Sequence, residues 1–160
     1  MITKRILQDE SMDTKKKIIE VLPYGKPYHF VDRIVSINEN ESISCYRFKK
    51  DEFFYPGHFK NNPVIPGLIL LEAAGQMGAV CLGIYLLDLH HSGHSFIPVI
   101  ARIEADFHNP VYPGEEICTY TKKIVYRKNV LKCELNVFNQ KKEPILSAIA
   151  LCKFILNETQ

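Results

Sequence analysis

The sequence predicts an α+β domain in which an antiparallel sheet curls around one long, apolar helix. Residues 64–87 contain a single charged residue, Glu72, and a helix that is apolar on every side belongs in a protein core. Two strand-like segments precede this stretch and four follow it, so the order of elements is β-β-α-β-β-β-β. Because the chain has 160 residues, it is interpreted as a single domain over residues 12–160 with an N-terminal extension over residues 1–11.

The segments before the long helix predict a short helix and a hairpin. Asp13 is placed to cap a helix over residues 14–22, because a carboxylate oxygen at that position accepts a hydrogen bond from a free backbone N–H. Pro23 ends this helix and opens a loop. Two strands rich in β-branched and aromatic residues then form the hairpin, over residues 29–37 and 42–49.

The long helix and the strands after it complete the predicted domain. Pro66 suits the first position of the helix, where a missing N–H costs nothing, and the apolar pattern continues to residue 89. Gly75, Ala79 and Gly83 recur every four residues, which predicts a smooth stripe packed against the sheet. Four strands joined by short turns are expected to form a meander, over residues 96–107, 116–126, 131–137 and 144–156.

Charge and hydropathy exclude two classes of partner. The chain has 20 Lys and Arg against 18 Asp and Glu, a net charge of +2, which is too weak to indicate nucleic acid. The apolar stretch over residues 64–87 is long enough to span a membrane. However, Glu72 and Gln76 lie near its middle, and a lone carboxylate there is costly in lipid. The stretch is therefore interpreted as the buried helix of a globular domain.

The cysteines favour a reducing compartment. They are odd in number, widely spaced and form no C-x-x-C pair, at Cys45, Cys81, Cys118, Cys133 and Cys152. This pattern predicts neither a disulfide framework nor a zinc site, but small apolar core residues. Because residues 1–17 are polar and lysine-rich, without the apolar core of a secretion signal, we expect a cytoplasmic protein.

Glu72 and Gln76 are the first candidates for a functional site. They lie four residues apart, on one face of the predicted helix, and a buried carboxylate needs a hydrogen-bond partner. From these two residues alone, a structural pair and a catalytic pair are equally open interpretations.

His58 favours the catalytic interpretation. A histidine in an aromatic loop is more often structural, but His58 precedes the helix start at Pro66 and Gly67 by only a short turn. Helix starts offer free backbone N–H groups and a positive dipole end, and Gly67 lets a substrate approach that backbone closely. A histidine, a carboxylate and such donors suit proton abstraction beside a carbonyl, or loss of water from a β-hydroxy carbonyl compound.

The spacing of these residues is that of a known family. The pattern Gly57-His58-Phe59-x3-Pro63-x2-Pro66-Gly67-x4-Glu72-Ala73-x2-Gln76 resembles the active-site signature of the 3-hydroxyacyl-acyl-carrier-protein dehydratases of the FabZ type. The likeness covers residues 12–155 and includes Val31-Asp32-Arg33 upstream and Pro113-Gly114 downstream. The resemblance implies the hot-dog fold, in which a sheet wraps a long helix.

The resemblance also implies a role for each site residue. His58 abstracts the α-proton and Glu72 protonates the departing hydroxyl, although the sequence leaves the division of acid and base work open. The Gly67 amide polarises the thioester carbonyl, and Gln76 is the hydrogen-bond partner of Glu72. The related FabA-type isomerases carry Asp at the position of Glu72, so the glutamate favours a dehydratase over an isomerase. Aromatic residues near the site are expected to line the substrate tunnel, namely Phe54, Tyr55, Phe59 and Phe96. The chemistry needs neither a cofactor nor a metal.

The implied reaction converts a (3R)-3-hydroxyacyl thioester on acyl carrier protein to the trans-2-enoyl thioester, in fatty acid or in polyene or polyketide biosynthesis. The implied assembly is a homodimer, or a trimer of such dimers, with His58 of one chain facing Glu72 of the other. Two alternatives are a hot-dog acyl thioesterase and a non-catalytic acyl-binding subunit. Products would separate them, because hydrolysis releases a free acid and a binding subunit leaves the thioester unchanged.

Three segments depart from the family pattern. Tyr24-Gly25-Lys26 replaces the usual His-Arg-Tyr, so the tunnel should differ in shape here. Glu104, Asp106, His108 and Asn109 occupy positions that are often basic, and the basic residues Lys122, Lys123, Arg127 and Lys128 offer an alternative docking surface for an acidic carrier. A cluster of His90, His91 and His94 could bind a metal, but a solvated loop is the favoured interpretation.

Overall fold

A computed structural model of the chain describes residues 9–157. The helices in this range are α1 (Met12–Glu20), α2 (Gly67–Gly75), α3 (Cys81–Leu86) and α4 (Leu89–Ser92). The strands are β1 (Arg33–Ile37), β2 (Glu41–Arg47), β3 (Phe96–Phe107), β4 (Glu116–Arg127), β5 (Val130–Asn139) and β6 (Pro144–Leu156). A π-helical turn, Gln76–Val80, joins α2 to α3, so that all three form one central helix.

The strands form one antiparallel sheet in the order β1-β2-β4-β5-β6-β3. The predicted meander is correct for β4, β5 and β6 but wrong for β3, which pairs with β6 at the far edge of the sheet. The connection from β3 to β4 explains the difference, because it crosses below the start of the central helix. There the buried Val111 accepts a hydrogen bond from the Ile65 N–H at 3.0 Å.

The sheet surrounds the central helix and buries it. The helix over Gly67–Leu86 is long and apolar enough to cross a membrane, yet 72% of its most apolar window is buried inside the domain. A side chain added at Gly78 would meet Leu135 of β5, and one at Gly83 would meet the Phe154 ring of β6. The helix is therefore the core of the domain, as its all-round apolar sequence predicts.

The predicted stripe of small residues is wrong at one end. Gly75 has open space where a side chain would begin, so it does not pack against the sheet. The π-helical turn is the reason, because it places residues five apart, rather than four, on one face. Gly78 and Gly83 have that spacing and form the close contacts with the sheet.

The chain before β1 is tied to the domain by its polar residues. Ser11, not the predicted Asp13, caps α1, since its hydroxyl accepts from the Thr14 N–H at 3.2 Å. Asp9 accepts a hydrogen bond from the Ile37 N–H at 3.0 Å, at the end of β1. Residues 9–11, which the sequence assigned to the extension, thus contact the domain, and residues 1–8 lie outside the described range.

The prediction that all the cysteines are unpaired is wrong for two of them. Cys45 of β2 and Cys118 of β4 form a disulfide, with their Cα atoms 4.1 Å apart. The register of the two strands places them directly opposite each other, although 73 residues separate them in the sequence. The other three cysteines are free and buried, as predicted: Cys81, Cys133 and Cys152.

Candidate active site

Gln76 fixes the position of the Glu72 carboxylate. The Gln76 side chain is 1% exposed and makes three hydrogen bonds. Its Oε1 accepts from the Phe30 N–H at 2.9 Å, while its Nε2 donates to the Tyr28 carbonyl at 3.0 Å and to Glu72 Oε1 at 2.8 Å. These bonds hold the segment before β1 out of the sheet, which is why the strand predicted from residue 29 begins at Arg33.

Glu72 faces a cavity of about 400 Å³ between the central helix and β3. Its walls are mostly apolar, and they comprise Tyr24, Leu68, Leu71, Glu72, Gly75, Gln76, Val80, Pro98, Val99, Ile100 and Ile103. Because Gly75 carries no side chain, the helix leaves this space open beside the carboxylate. A carboxylate at the wall of an apolar cavity can exchange a proton with a substrate that excludes water from the site.

Two tyrosines lie close enough to Glu72 for its charge to act on them. Burial is the larger cause, and the Glu72 carboxylate a further one, of a raised pKa for both Tyr24 and Tyr28. Both phenols therefore stay protonated at neutral pH, and each is a hydrogen-bond donor.

The loop before α2 holds His58 in one orientation. A single 3₁₀ turn, Tyr55–Gly57, ends at this residue, and the His58 ring stacks on Phe59 with ring centroids 3.8 Å apart. His58 Nδ1 lies 2.9 Å from the Val64 carbonyl oxygen. Since a carbonyl only accepts, Nδ1 carries the proton and Nε2 of the neutral ring is free to act as a base.

The start of the central helix offers backbone donors. Ile69 and Leu70 both donate to the Pro66 carbonyl, whereas the N–H of Gly67 precedes the first intrahelical bond. A Cβ at Gly67 would lie 3.3 Å from the Phe107 ring. A larger residue would therefore crowd this position, and glycine keeps the helix start close to β3.

The predicted site residues do not all lie at one place in a single chain. Glu72 and Gln76 share the cavity, but His58 is not among the residues that line it. Tyr55 and Phe59 line a different depression on the surface. Phe54 packs edge-on against Phe48, and Phe96 lies in the core beside Phe154. Within one chain, none of the four predicted tunnel aromatics lines the cavity at Glu72.

Sequence reasoning missed most of the residues that do line the cavity. Those on β3, from Pro98 to Ile103, were predicted only as part of a strand, and nothing in their alternation indicates which face meets the helix. Tyr24 did carry a signal, since it departs from the family pattern. Its place in the cavity depends on the loop after α1 folding back to the helix.

One cluster of side chains has the composition of a metal site. Ligand atoms of Asp88, His90 and His91 all lie within 4.8 Å of one another, with 2.8 Å between His91 Nδ1 and Asp88 Oδ1. The predicted solvated loop is wrong for His90, which lies within α4 and has a side chain that is 4% exposed. His94 is exposed and lies outside the cluster.

The curled sheet, the buried central helix and the helix-borne carboxylate define a hot-dog-fold protein. Consistent with this, a hypothetical thioesterase from Streptococcus pneumoniae TIGR4, solved with coenzyme A, superposes with a TM-score of 0.58, covering 79% of this chain and 87% of its own at 8% identity. The FabA-like domain family model matches residues 22–146. The chain belongs to the FabA-like family, and both the predicted fold and the predicted resemblance are confirmed.

Within that family, the chain is similar in sequence to dehydratases of the FabZ type. The 3-hydroxyacyl-(acyl-carrier-protein) dehydratase FabZ of Wolinella succinogenes is 34% identical over 120 residues, which cover 73% of this chain and 75% of the relative. The protein of the same name from Ehrlichia ruminantium strain Gardel is 31% identical over 128 residues, covering 79% of this chain and 77% of the relative.

Proposed function

We propose that this chain dehydrates a (3R)-3-hydroxyacyl thioester on acyl carrier protein to the trans-2-enoyl thioester, in fatty acid biosynthesis or a related polyene or polyketide pathway. The observation that carries the proposal is the Glu72 carboxylate, fixed by Gln76 at the wall of an apolar cavity. FabZ relatives that match most of the chain support the same reaction.

The reaction needs a base, an acid and an oxyanion donor. His58 Nε2 removes the α-proton, and the electron pair of the broken C–H bond forms the new double bond. The bond from C3 to oxygen then breaks, and the hydroxyl leaves as water with a proton from Glu72. The Gly67 N–H donates to the thioester oxygen as negative charge develops there. His58 afterwards returns its proton to solvent and Glu72 regains one, so the site is restored without a cofactor.

We infer that each complete site is shared between two chains. In one chain His58 does not line the cavity that holds Glu72. Strand β3 forms that cavity and is also an edge of the sheet, where unpaired backbone groups favour pairing with another strand. Apolar side chains lie exposed on and near β3, at Leu68, Ile97, Val99, Ile100 and Phe107. A homodimer joined at β3 would cover this surface and bring the partner's His58 loop to the cavity.

The acyl group would arrive on a carrier protein. Exposed basic side chains near the turn between β4 and β5 supply a docking surface for an acidic carrier, at Lys122, Arg127 and Lys128. The exposed acidic residues Glu104 and Asp106 on β3 disfavour docking along that strand. One domain over residues 12–160, as a dimer or a trimer of dimers, accounts for the activity.

Mass spectrometry of the carrier-bound product tests the proposal. We expect purified protein to convert 3-hydroxyacyl carrier protein to a species lighter by one water. We expect Glu72→Gln protein, which keeps a hydrogen-bonding side chain at this position, to leave the substrate unchanged. Release of a free acid would instead establish a thioesterase. Retention of unaltered substrate by the unmodified protein would establish a binding subunit.

A further inference from the structure

A second polar group shares the cavity with Glu72. The Tyr24 side chain lines the same walls, and its ring packs against the hydrophobic core. Within residues 9–157, the Tyr24 hydroxyl makes no hydrogen bond to another protein group. The Gln76 amide also reaches the cavity, but it is already bonded to Phe30, Tyr28 and Glu72. Tyr24 is thus an uncommitted donor in a wall that is apolar apart from Glu72 and Gln76.

Tyr24 lines the cavity together with Val80, which lies beyond Glu72 in the central helix. Burial is the largest cause of its raised pKa, and Glu72, Cys152 and Cys81 contribute further. Cys81 follows Val80 in the central helix, and Cys152 is the register partner of Ile100 on β3. Val80 and Ile100 both line the cavity. An acyl chain that enters near Leu68 and passes Glu72 would therefore approach the phenol with its tail.

A partly buried phenol hydroxyl discriminates between acyl tails that carry a hydrogen-bond acceptor and tails that do not. An alkyl tail that displaces water from this space leaves the phenol without an acceptor, and a fully buried donor left unpaired weakens binding about 5- to 150-fold. A tail oxygen restores the bond. Binding sites that are built to hydrogen-bond one group of a substrate reject analogues that lack this group.

We propose that Tyr24 is a specificity-determining residue that donates a hydrogen bond to an acceptor oxygen on the acyl tail. The preferred substrate is then a 3-hydroxyacyl thioester that bears oxygen beyond the reacting carbons, rather than a plain alkyl chain. The proposal rests on the proposed dehydration, and it deepens that function by naming the substrate class.

Substrate pairs of equal length test this assignment. We would compare kcat/KM for 3-hydroxyoctanoyl carrier protein with that for its 5-, 6- and 7-oxo derivatives. For the unsubstituted protein, kcat/KM should be about 10-fold higher for at least one oxo derivative than for the alkyl substrate, which is the contribution of one neutral hydrogen bond. Tyr24→Phe should abolish this preference, so that kcat/KM for the oxo derivative becomes equal to kcat/KM for the alkyl substrate of the same length.

Tyr28→Phe is the matched control. Tyr28 is also a phenol near Glu72, but it does not line the cavity, and its bond to Gln76 uses the backbone carbonyl. The preference should survive this substitution. No preference for any oxo derivative in the full-length protein, or a preference that persists in Tyr24→Phe, would overturn the proposal and indicate that the phenol bonds only to water.

Binding separates this proposal from the proposed reaction. Dissociation constants for the same substrates with Glu72→Gln protein, measured by calorimetry, do not depend on turnover. The oxo preference should appear there and vanish in the protein that also carries Tyr24→Phe. If no substrate is dehydrated but this binding preference is found, the reaction is wrong and the role of Tyr24 stands. If binding shows no preference, the role of Tyr24 is wrong.

Discussion

Gly75 and Gly83 belong to the same central helix but have opposite surroundings. A Cβ at Gly75 would meet nothing within 4 Å, and this residue lines the cavity beside Glu72. A Cβ at Gly83 would overlap the buried Phe154 ring. Absence of a side chain therefore leaves space for a ligand at one position and for a neighbouring strand at the other.

The difference shows how one apolar helix provides both a core and a site. The π-helical turn, Gln76–Val80, separates the two regions. Before it, Glu72 and Gly75 face the cavity. After it, Gly83 packs against the sheet. Substitutions of the cavity-facing residues before the turn should alter catalysis with little effect on stability, and substitution of Gly83 after it should do the reverse.

The largest effect is expected before the turn, at Glu72. Glu72→Gln removes the exchangeable proton but keeps a side chain of similar size that can bond to Gln76. Because general acid–base groups contribute roughly 10²–10⁴-fold in rate, kcat for dehydration should fall by about that factor. Thermal unfolding should be nearly unchanged. A variant with more than half of the normal kcat would show that this carboxylate is structural.

The next effect is expected after the turn, at Gly83. Gly83→Ala forces the Phe154 ring to move in a filled core, and overpacking of this kind costs about 1–3 kcal/mol. The better helix propensity of alanine offsets up to about 1 kcal/mol of this cost. The free energy of unfolding in urea should therefore fall, while kcat per folded molecule stays close to normal. Unchanged stability would mean that the helix and β6 are not in close contact here.

The smallest effect on stability is expected at Gly75. Gly75→Ala adds a methyl group in open space, so the free energy of unfolding should stay the same or rise by up to about 1 kcal/mol. The methyl group narrows the cavity, so kcat/KM should fall more for long acyl substrates than for short ones. An equal effect on substrates of every length would place the acyl chain elsewhere.

The sequence predicts much of the local structure. Strands β3 and β6 begin and end at the predicted residues, because turn residues border them clearly. The hydrogen bond between Glu72 and Gln76 follows from their helical spacing. His58 and Gly67 were predicted from a motif that spans only a short stretch of chain.

What the sequence could not provide depends on contacts between distant segments. The Cys45–Cys118 bond needs the register of β2 against β4, and the edge position of β3 needs the strand order of the whole sheet. The π-helical turn leaves no trace in composition. The place of Tyr24 in the cavity depends on where a loop folds back, which local patterns do not specify.

The most direct test of the account is complementation between two inactive proteins. His58→Ala and Glu72→Ala are each expected to be inactive, and they would be unfolded together and refolded as a mixture. With random pairing, about half of the dimers contain one chain of each kind, and each of these has one intact site out of two. Activity should therefore return to about a quarter of the wild-type value. A mixture that stays inactive, although mass measurements show mixed dimers, would place His58 and Glu72 of one site in the same chain and contradict the shared site.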